Sequence, residues 1–289
     1  MNYDIVYVTE YRYGGPVVDN INAVRAKPAT SESQRPSGFR LTVSPDVRIH
    51  QHTDYFGTTV HQFEVTKPHT HLTITVATRC VTSPQPPPPD PTWDAVRTVD
   101  YREVGAEFLV PHEAARSHAV LDKLRADSQS DTPLATVRAL CDLIPTTFEY
   151  RTGVTYVGST VADLIEAGAG VCQDFAHVML AVLRDMGIAA RYCSGYLYAA
   201  GANGAQSVEV ETHAWLEAML PDEQGKFVWV GFDPTNAILT GVHHVKIGHG
   251  RWYSDVPPIK GVFRGPPGAA MDARVTMSTL AEPTLSPSI

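Results

Sequence analysis

The chain lacks a membrane span, a basic surface and a cysteine framework. No apolar run approaches the ~18 residues that a membrane helix needs. Lysine and arginine together number 23 against 31 aspartates and glutamates, a formal net charge of −8. That balance argues against a nucleic acid or an anionic membrane as partner, since both call for a basic face. The four cysteines, Cys80, Cys141, Cys172 and Cys193, include no CxxC pair, and their spacing suits neither a zinc knuckle nor a disulfide framework. There is no HExxH or similar metal-ligand spacing, and no internal repeat. Residues 1–15 mix Asp4, Glu10 and Arg12 into their apolar positions and do not read as a secretory signal. These absences lead to the expectation of a reduced, cytoplasmic protein with no metal and no cofactor.

What is present is a chain of 289 residues, 43% hydrophobic, long enough for one large or two medium domains with a sizeable core. The first hundred residues read as β. Tyr3 to Thr9 is rich in β-branched and aromatic residues, and 40–43, 60–65 and 72–78 are short extended runs separated by turn residues. That pattern predicts an antiparallel sandwich, with loops at 36–38 and 55–57. The proline run 84–91 cannot pair as a central strand and reads as a stiff linker. Helical spacing follows at 114–125 and 133–144, the latter behind a Thr132-Pro133 cap. A short helix is expected from Ser159/Thr160 to 167, and a long one from Cys172 to Met186, ended by Gly187. Strands are predicted at 190–196, 213–218 and 227–232, with a late one at 274–277 and a frayed end at 283–289. Domain boundaries fall at 1–104, 105–265 and 266–289.

The chemistry gathers around Cys172. It follows Gly168-Ala169-Gly170-Val171 and opens a helix, and the unpaired backbone N–H groups of a first turn favour the anionic form of a thiol. Phe175, Met179, Val182, Leu183 and Met186 form one apolar stripe of that helix, so position alone also leaves Cys172 readable as a small core hydrophobe. A thiol nucleophile needs a base in reach, and the base needs a third group to fix its tautomer. Thr212-His213-Ala214-Trp215 puts a histidine at the start of an apolar strand, and Phe232-Asp233-Pro234 puts an aspartate at the end of another. A helix start against two adjacent strands would supply all three groups. His177 stands five residues past Cys172 on the same helix, about 140° round from it, and is a poor base for that thiol. Asp174 and His177, three apart, read as a pair bracing the helix, as part of a substrate-cleft wall, or as a metal site with His243 and His244. His243, His244 and His249 read as surface histidines in a glycine-rich loop, and 201–205 as a surface loop.

Gly170-Val171-Cys172-Gln173-Asp174-Phe175-Ala176-His177, then Thr212-His213-Ala214-Trp215, then Gly231-Phe232-Asp233-Pro234-Thr235-Asn236 together resemble the core of the bacterial transglutaminase-like proteins, of the papain-like cysteine-enzyme superfamily. Residues 48–68 resemble that family's β-rich N-terminal domain, and 254–261 its C-terminal segment. The resemblance implies an α+β fold: an N-terminal antiparallel β-sandwich followed by a papain-like core of helices packed on an antiparallel sheet. It implies Cys172 as nucleophile, His213 as base and Asp233 as orienting acid. The expected activity is thiol-dependent acyl transfer on amides of a peptide or protein substrate, as a protease or amidase if water accepts the acyl group and a transglutaminase if an amine does. A peptide-binding module that keeps the fold without catalysis is the alternative, weighed against by the intact set of three. Strand alternation puts Trp215 on the face of His213, as a substrate-binding cleft wall, and Phe232 on the core face opposite Asp233. One aromatic is a thin lining for a dedicated amine channel, so hydrolysis is favoured. No oligomeric state is specified.

Overall fold

The computed structural model describes residues 1–111, 118–156, 158–199, 207–210 and 212–280. The fold is α+β, as expected. Its N-terminal part is a curled antiparallel sheet built on one long strand, β1 (Asn2–Val24), with β2 (Gln34–Ser44), β3 (His50–Thr53), β4 (Thr59–Val65) and β5 (His69–Thr82). The first half of β1 pairs with β5 and its second half with β4. The two layers of the expected sandwich are therefore joined through a single strand. Alternation along β5 buries Leu72, Ile74, Val76 and Cys80, the period of two that a half-buried strand requires. The predicted loop at 36–38 is instead part of β2. Gly38 adopts φ +61° there and the register slips between Ser37 and Arg40, so the proline and glycine mark a bulge within the strand.

Residues 84–91 carry no regular structure. Two short helices follow, α1 (Val99–Val104) and α2 (Ala106–Leu109), then α3 (Ala119–Ser128) and α4 (Pro133–Thr147). The first residues of the helix predicted at 114–125 lie outside the described residues. Thr132 caps α4 by accepting from the Ala135 N–H, with proline in the first turn. A two-residue parallel bridge joins β6 (Glu149–Tyr150) to β7 (Ala169–Gly170) around α5 (Val161–Ala167), and β7 leads directly into α6 (Cys172–Asp185). Thr160 and Asp163 form a full capping box on α5.

The second sheet is antiparallel, with five strands in the order β12-β11-β10-β8-β13. These are β8 (Ala190–Leu197), β10 (Thr212–Pro221), β11 (Phe227–Asp233), β12 (Ile238–Leu239) and β13 (His244–Gly250). Along β10, Ala214, Leu216, Ala218 and Leu220 join the core cluster around α6, which leaves His213, Trp215 and Glu217 on the opposite face. The glycine-rich stretch expected as a loop is β13. Its glycines answer close packing: a Cβ on Gly248 would stand 2.3 Å from Thr58 Oγ1, and one on Gly250 2.4 Å from Asp255 Cβ.

The N-terminal sheet reaches into this second unit. β9 (Ser207–Val210), between β8 and β10 in sequence, pairs with β15 (Ala269–Thr279), which runs beside β1 together with β14 (Ile259–Arg264). Gln34 brackets the Lys246 backbone, donating to its carbonyl at 2.7 Å and accepting from its N–H at 2.7 Å. Behind the sheet, Glu217 accepts from Lys246 at 2.6 Å and from Arg191 at 2.6 Å. Burial alone would raise the Glu217 carboxyl, but the charges of Arg191 and Lys246 hold it well below the usual carboxylate range. The stretches 201–205 and 283–289 lie outside the described residues.

Candidate active site

Cys172 is the first residue of α6, half-buried, and it packs at the edge of the main core cluster. Its place is fixed by what precedes it. Asp174 accepts from the Val171 N–H at 2.8 Å and from the Thr155 hydroxyl at 2.6 Å. A Cβ on Gly170 would stand 2.7 Å from Asp174 Oδ2 and 2.6 Å from Leu164 Cδ1, so a larger residue would have to displace both side chains at the helix entry. His177, expected to brace Asp174 or to wall the cleft, lines the groove described below. Its Nε2 accepts from the Tyr253 N–H at 3.2 Å, and its ring lies against Trp252 and Tyr192.

His213 stands near the start of β10. Its Nε2 lies 2.8 Å from Asp233 Oδ2, which leaves Nδ1 for the thiol of Cys172, a group near enough to act on the charge of the ring. Burial pushes the imidazole down. The hydrogen bond to Asp233, and interaction with the anionic forms of Asp233 and Cys172, outweigh it and bring His213 up to about 9. The three residues that the sequence singled out thus meet in one place, drawn from a helix start and two adjacent strands.

Asp233 ends β11, with no side-chain exposure. Five donors surround it. Oδ1 accepts from the Thr235 N–H at 3.0 Å and the Asn236 N–H at 3.3 Å. Oδ2 accepts from His213, from Asn236 Nδ2 at 2.7 Å and from His244 Nε2 at 3.1 Å. Burial would raise this carboxyl, but the bonds from His213, His244 and Asn236 hold it well below the usual range.

Two readings from the sequence need correction here. His244, taken as a surface histidine, is buried, with 3% side-chain exposure, at the start of β13. The signal was in its neighbours: Val245 and Ile247 are apolar at alternate positions, which puts His244 and Lys246 together on the other face. The second concerns Trp215. It does share the face of His213, with ring centroids 6.2 Å apart, but it is only 2% exposed and cannot be a cleft wall. The reason is Gly195 on the neighbouring strand. A Cβ there would stand 2.4 Å from Trp215 Cη2, so the ring lies across the glycine and meets the His244 ring edge-on at 5.3 Å.

A groove of about 190 Å³ runs beside the first turn of α6, lined by Gln173 and His177 from the helix, Ser159 and Thr160 ahead of α5, and Trp252 and Tyr253 after β13. Its walls are aromatic and hydroxyl-bearing. The nitrogen and oxygen atoms of His213, Asp233 and His244 also lie close enough together to be weighed as a metal site. They are already committed to one another by hydrogen bonds and buried, and no fourth ligand stands with them among the described residues.

Residues 121–234 match the family model described as the transglutaminase-like superfamily, and residues 3–80 match that of the bacterial transglutaminase-like N-terminal region. An uncharacterized protein of Mycobacterium tuberculosis is 35% identical over 275 residues, 90% of this chain and 87% of that one. A protein-glutamine gamma-glutamyltransferase of Pseudomonas aeruginosa is 30% identical over 181 residues, 59% of this chain but 26% of that much longer one. Among solved structures, a candidate cysteine protease from Cytophaga hutchinsonii superposes with a TM-score of 0.75 at 22% identity, covering 98% of this chain and 92% of that one. That likeness is one of fold. Among the described residues no helix is long and apolar enough to cross a membrane.

Proposed function

This chain belongs to the bacterial transglutaminase-like proteins, and from that premise we propose that it is a cysteine hydrolase of peptide or protein amides, working through a thioester on Cys172. The observation that carries this reading is His213, bonded through Nε2 to a buried aspartate and standing beside the Cys172 thiol. Asp233 orients the ring so that Nδ1 faces sulfur. Proton transfer from Sγ to Nδ1 gives the thiolate–imidazolium pair, and the thiolate attacks the carboxamide carbon. The tetrahedral oxyanion lies against the Cys172 backbone N–H at the helix start. Collapse breaks the C–N bond as His213 gives its proton to the leaving amine. His213 then takes a proton from water, whose oxygen displaces sulfur and releases the acid. The four free thiols fit a reducing compartment, and we place the protein in the cytoplasm on that basis.

An amine could replace water in the second half-reaction. One feature favours it: Trp252 and Tyr253 wall the groove beside α6, giving an aromatic lining that Trp215 does not provide. Water at ~55 M competes with any amine for the thioester. With a glutamine-containing peptide and a labelled primary amine at millimolar concentration, release of free acid is expected to outrun amine incorporation. The reverse ratio would make the protein a transglutaminase in the literal sense.

A further inference from the structure

Asp233 is shared. His213 reaches its Oδ2 from β10, and His244 reaches the same oxygen from β13. The Gly241 N–H points at His244 Nδ1 from 3.3 Å, so Nδ1 accepts and Nε2 is the nitrogen that carries hydrogen. The edge of Trp215 fixes the plane of the ring. The turn before His244 is clamped by the N-terminal sheet: Tyr3 and Thr82 both donate to the Val242 carbonyl, at 3.2 and 2.6 Å. None of these contacts reaches the thiol or the groove.

We propose that His244 is a positioning residue of the acyl-transfer site: by donating to the Asp233 oxygen that also holds His213, it sets how tightly the carboxylate grips the catalytic imidazole. The inference rests on the thiol-enzyme reading above. Three side-chain donors divide the electron density of one oxygen. Without His244, Asn236 and two backbone N–H groups still keep Asp233 in place. The carboxylate then binds the His213 imidazolium more strongly, and the imidazolium becomes a poorer acid for the leaving amine.

Among the described residues the groups that face this trio are few. Cys172 approaches His213 from α6, and Cys141 faces Asp233 from α4 with Asp142 beside it. His243 adjoins His244 and meets Tyr3, with the N-terminal amine near it. Lys246, two residues along β13, is paired with Glu217. Burial pushes Cys141 up to about 12, and burial and the neighbouring His244 push His243 down, so neither titrates near the His213 value of about 9.

The test is the rate at which iodoacetamide alkylates Cys172 as a function of pH, read by peptide mass mapping, in the full chain and in His213→Ala, His244→Leu and His244→Gln. In the wild type Cys172 is alkylated ahead of Cys80, Cys141 and Cys193, each pushed up to about 12 by burial. An alkaline inflection near 9 marks the loss of the His213 proton and vanishes in His213→Ala. His244→Leu moves that inflection up by about one unit, a tenfold change in the proton equilibrium. His244→Gln, whose amide nitrogen reaches the place of Nε2, brings it back. If the leucine variant does not fold, His244→Asn takes its place, since that amide stops short of Asp233. An inflection that stays, falls, or moves alike in the glutamine variant overturns the role of His244. A wild-type profile that does not depend on His213 overturns the thiol-enzyme reading itself.

Discussion

Asp233→Asn is expected to slow turnover by roughly 10²–10⁴ while the protein stays folded, by analogy with the aspartate of serine triads. Three side-chain donors, from His213, His244 and Asn236, converge on one carboxylate oxygen. An amide can accept all three only on its single oxygen, and its NH₂ group faces the donors of the other side, the Thr235 and Asn236 N–H groups. The arrangement that satisfies those backbone donors presents NH₂ to His213. The ring must then accept at Nε2 and carry its proton on Nδ1, where it cannot take one from sulfur. Turnover of a 4-nitrophenyl ester, with circular dichroism as the check on folding, measures the loss. Near-wild-type turnover in a folded variant would remove Asp233 from the mechanism.

Trp215→Ala is expected to cost stability. The ring is 2% exposed and packed across Gly195 against His244. Truncating a buried tryptophan typically removes about 3–5 kcal/mol, part transfer and part cavity. The urea midpoint should fall accordingly, with no change of slope. A cleft wall would behave in the opposite way, raising KM at unchanged stability. That second result would show that the ring swings out to meet substrate.

How much of this was legible in the sequence depends on the distance over which each signal acts. The start of α6 was readable, because Gly170, Asp174 and the apolar stripe behind Cys172 are all local to that helix. His213 and Asp233 were readable as strand ends, and the family resemblance joined them. The bulge at Gly38 and the strand at His244–Gly250 were missed for one shared reason. Glycine and proline normally punctuate loops, yet here Gly248 and Gly250 are set by Thr58 and Asp255, neighbours that no local pattern announces. Trp215 failed in the same manner. Alternation gave its face correctly, but not what covers that face. Its burial comes from the absent side chain of Gly195, which adjoins it only once β8 and β10 have paired. His244 lay between the two cases: its alternation with Val245 and Ile247 was visible, and its partner 11 residues upstream was not.

The central assignment is a thioester on Cys172, and intact-protein mass spectrometry after a brief pulse of 4-nitrophenyl acetate, quenched in acid, reads it directly. A single acetyl increment, mapped to Cys172, lost on treatment with hydroxylamine and missing from Cys172→Ala, is the expected outcome. An increment that persists in Cys172→Ala, or an unmodified Cys172 in a protein that turns the ester over, would show that the reaction runs through another group.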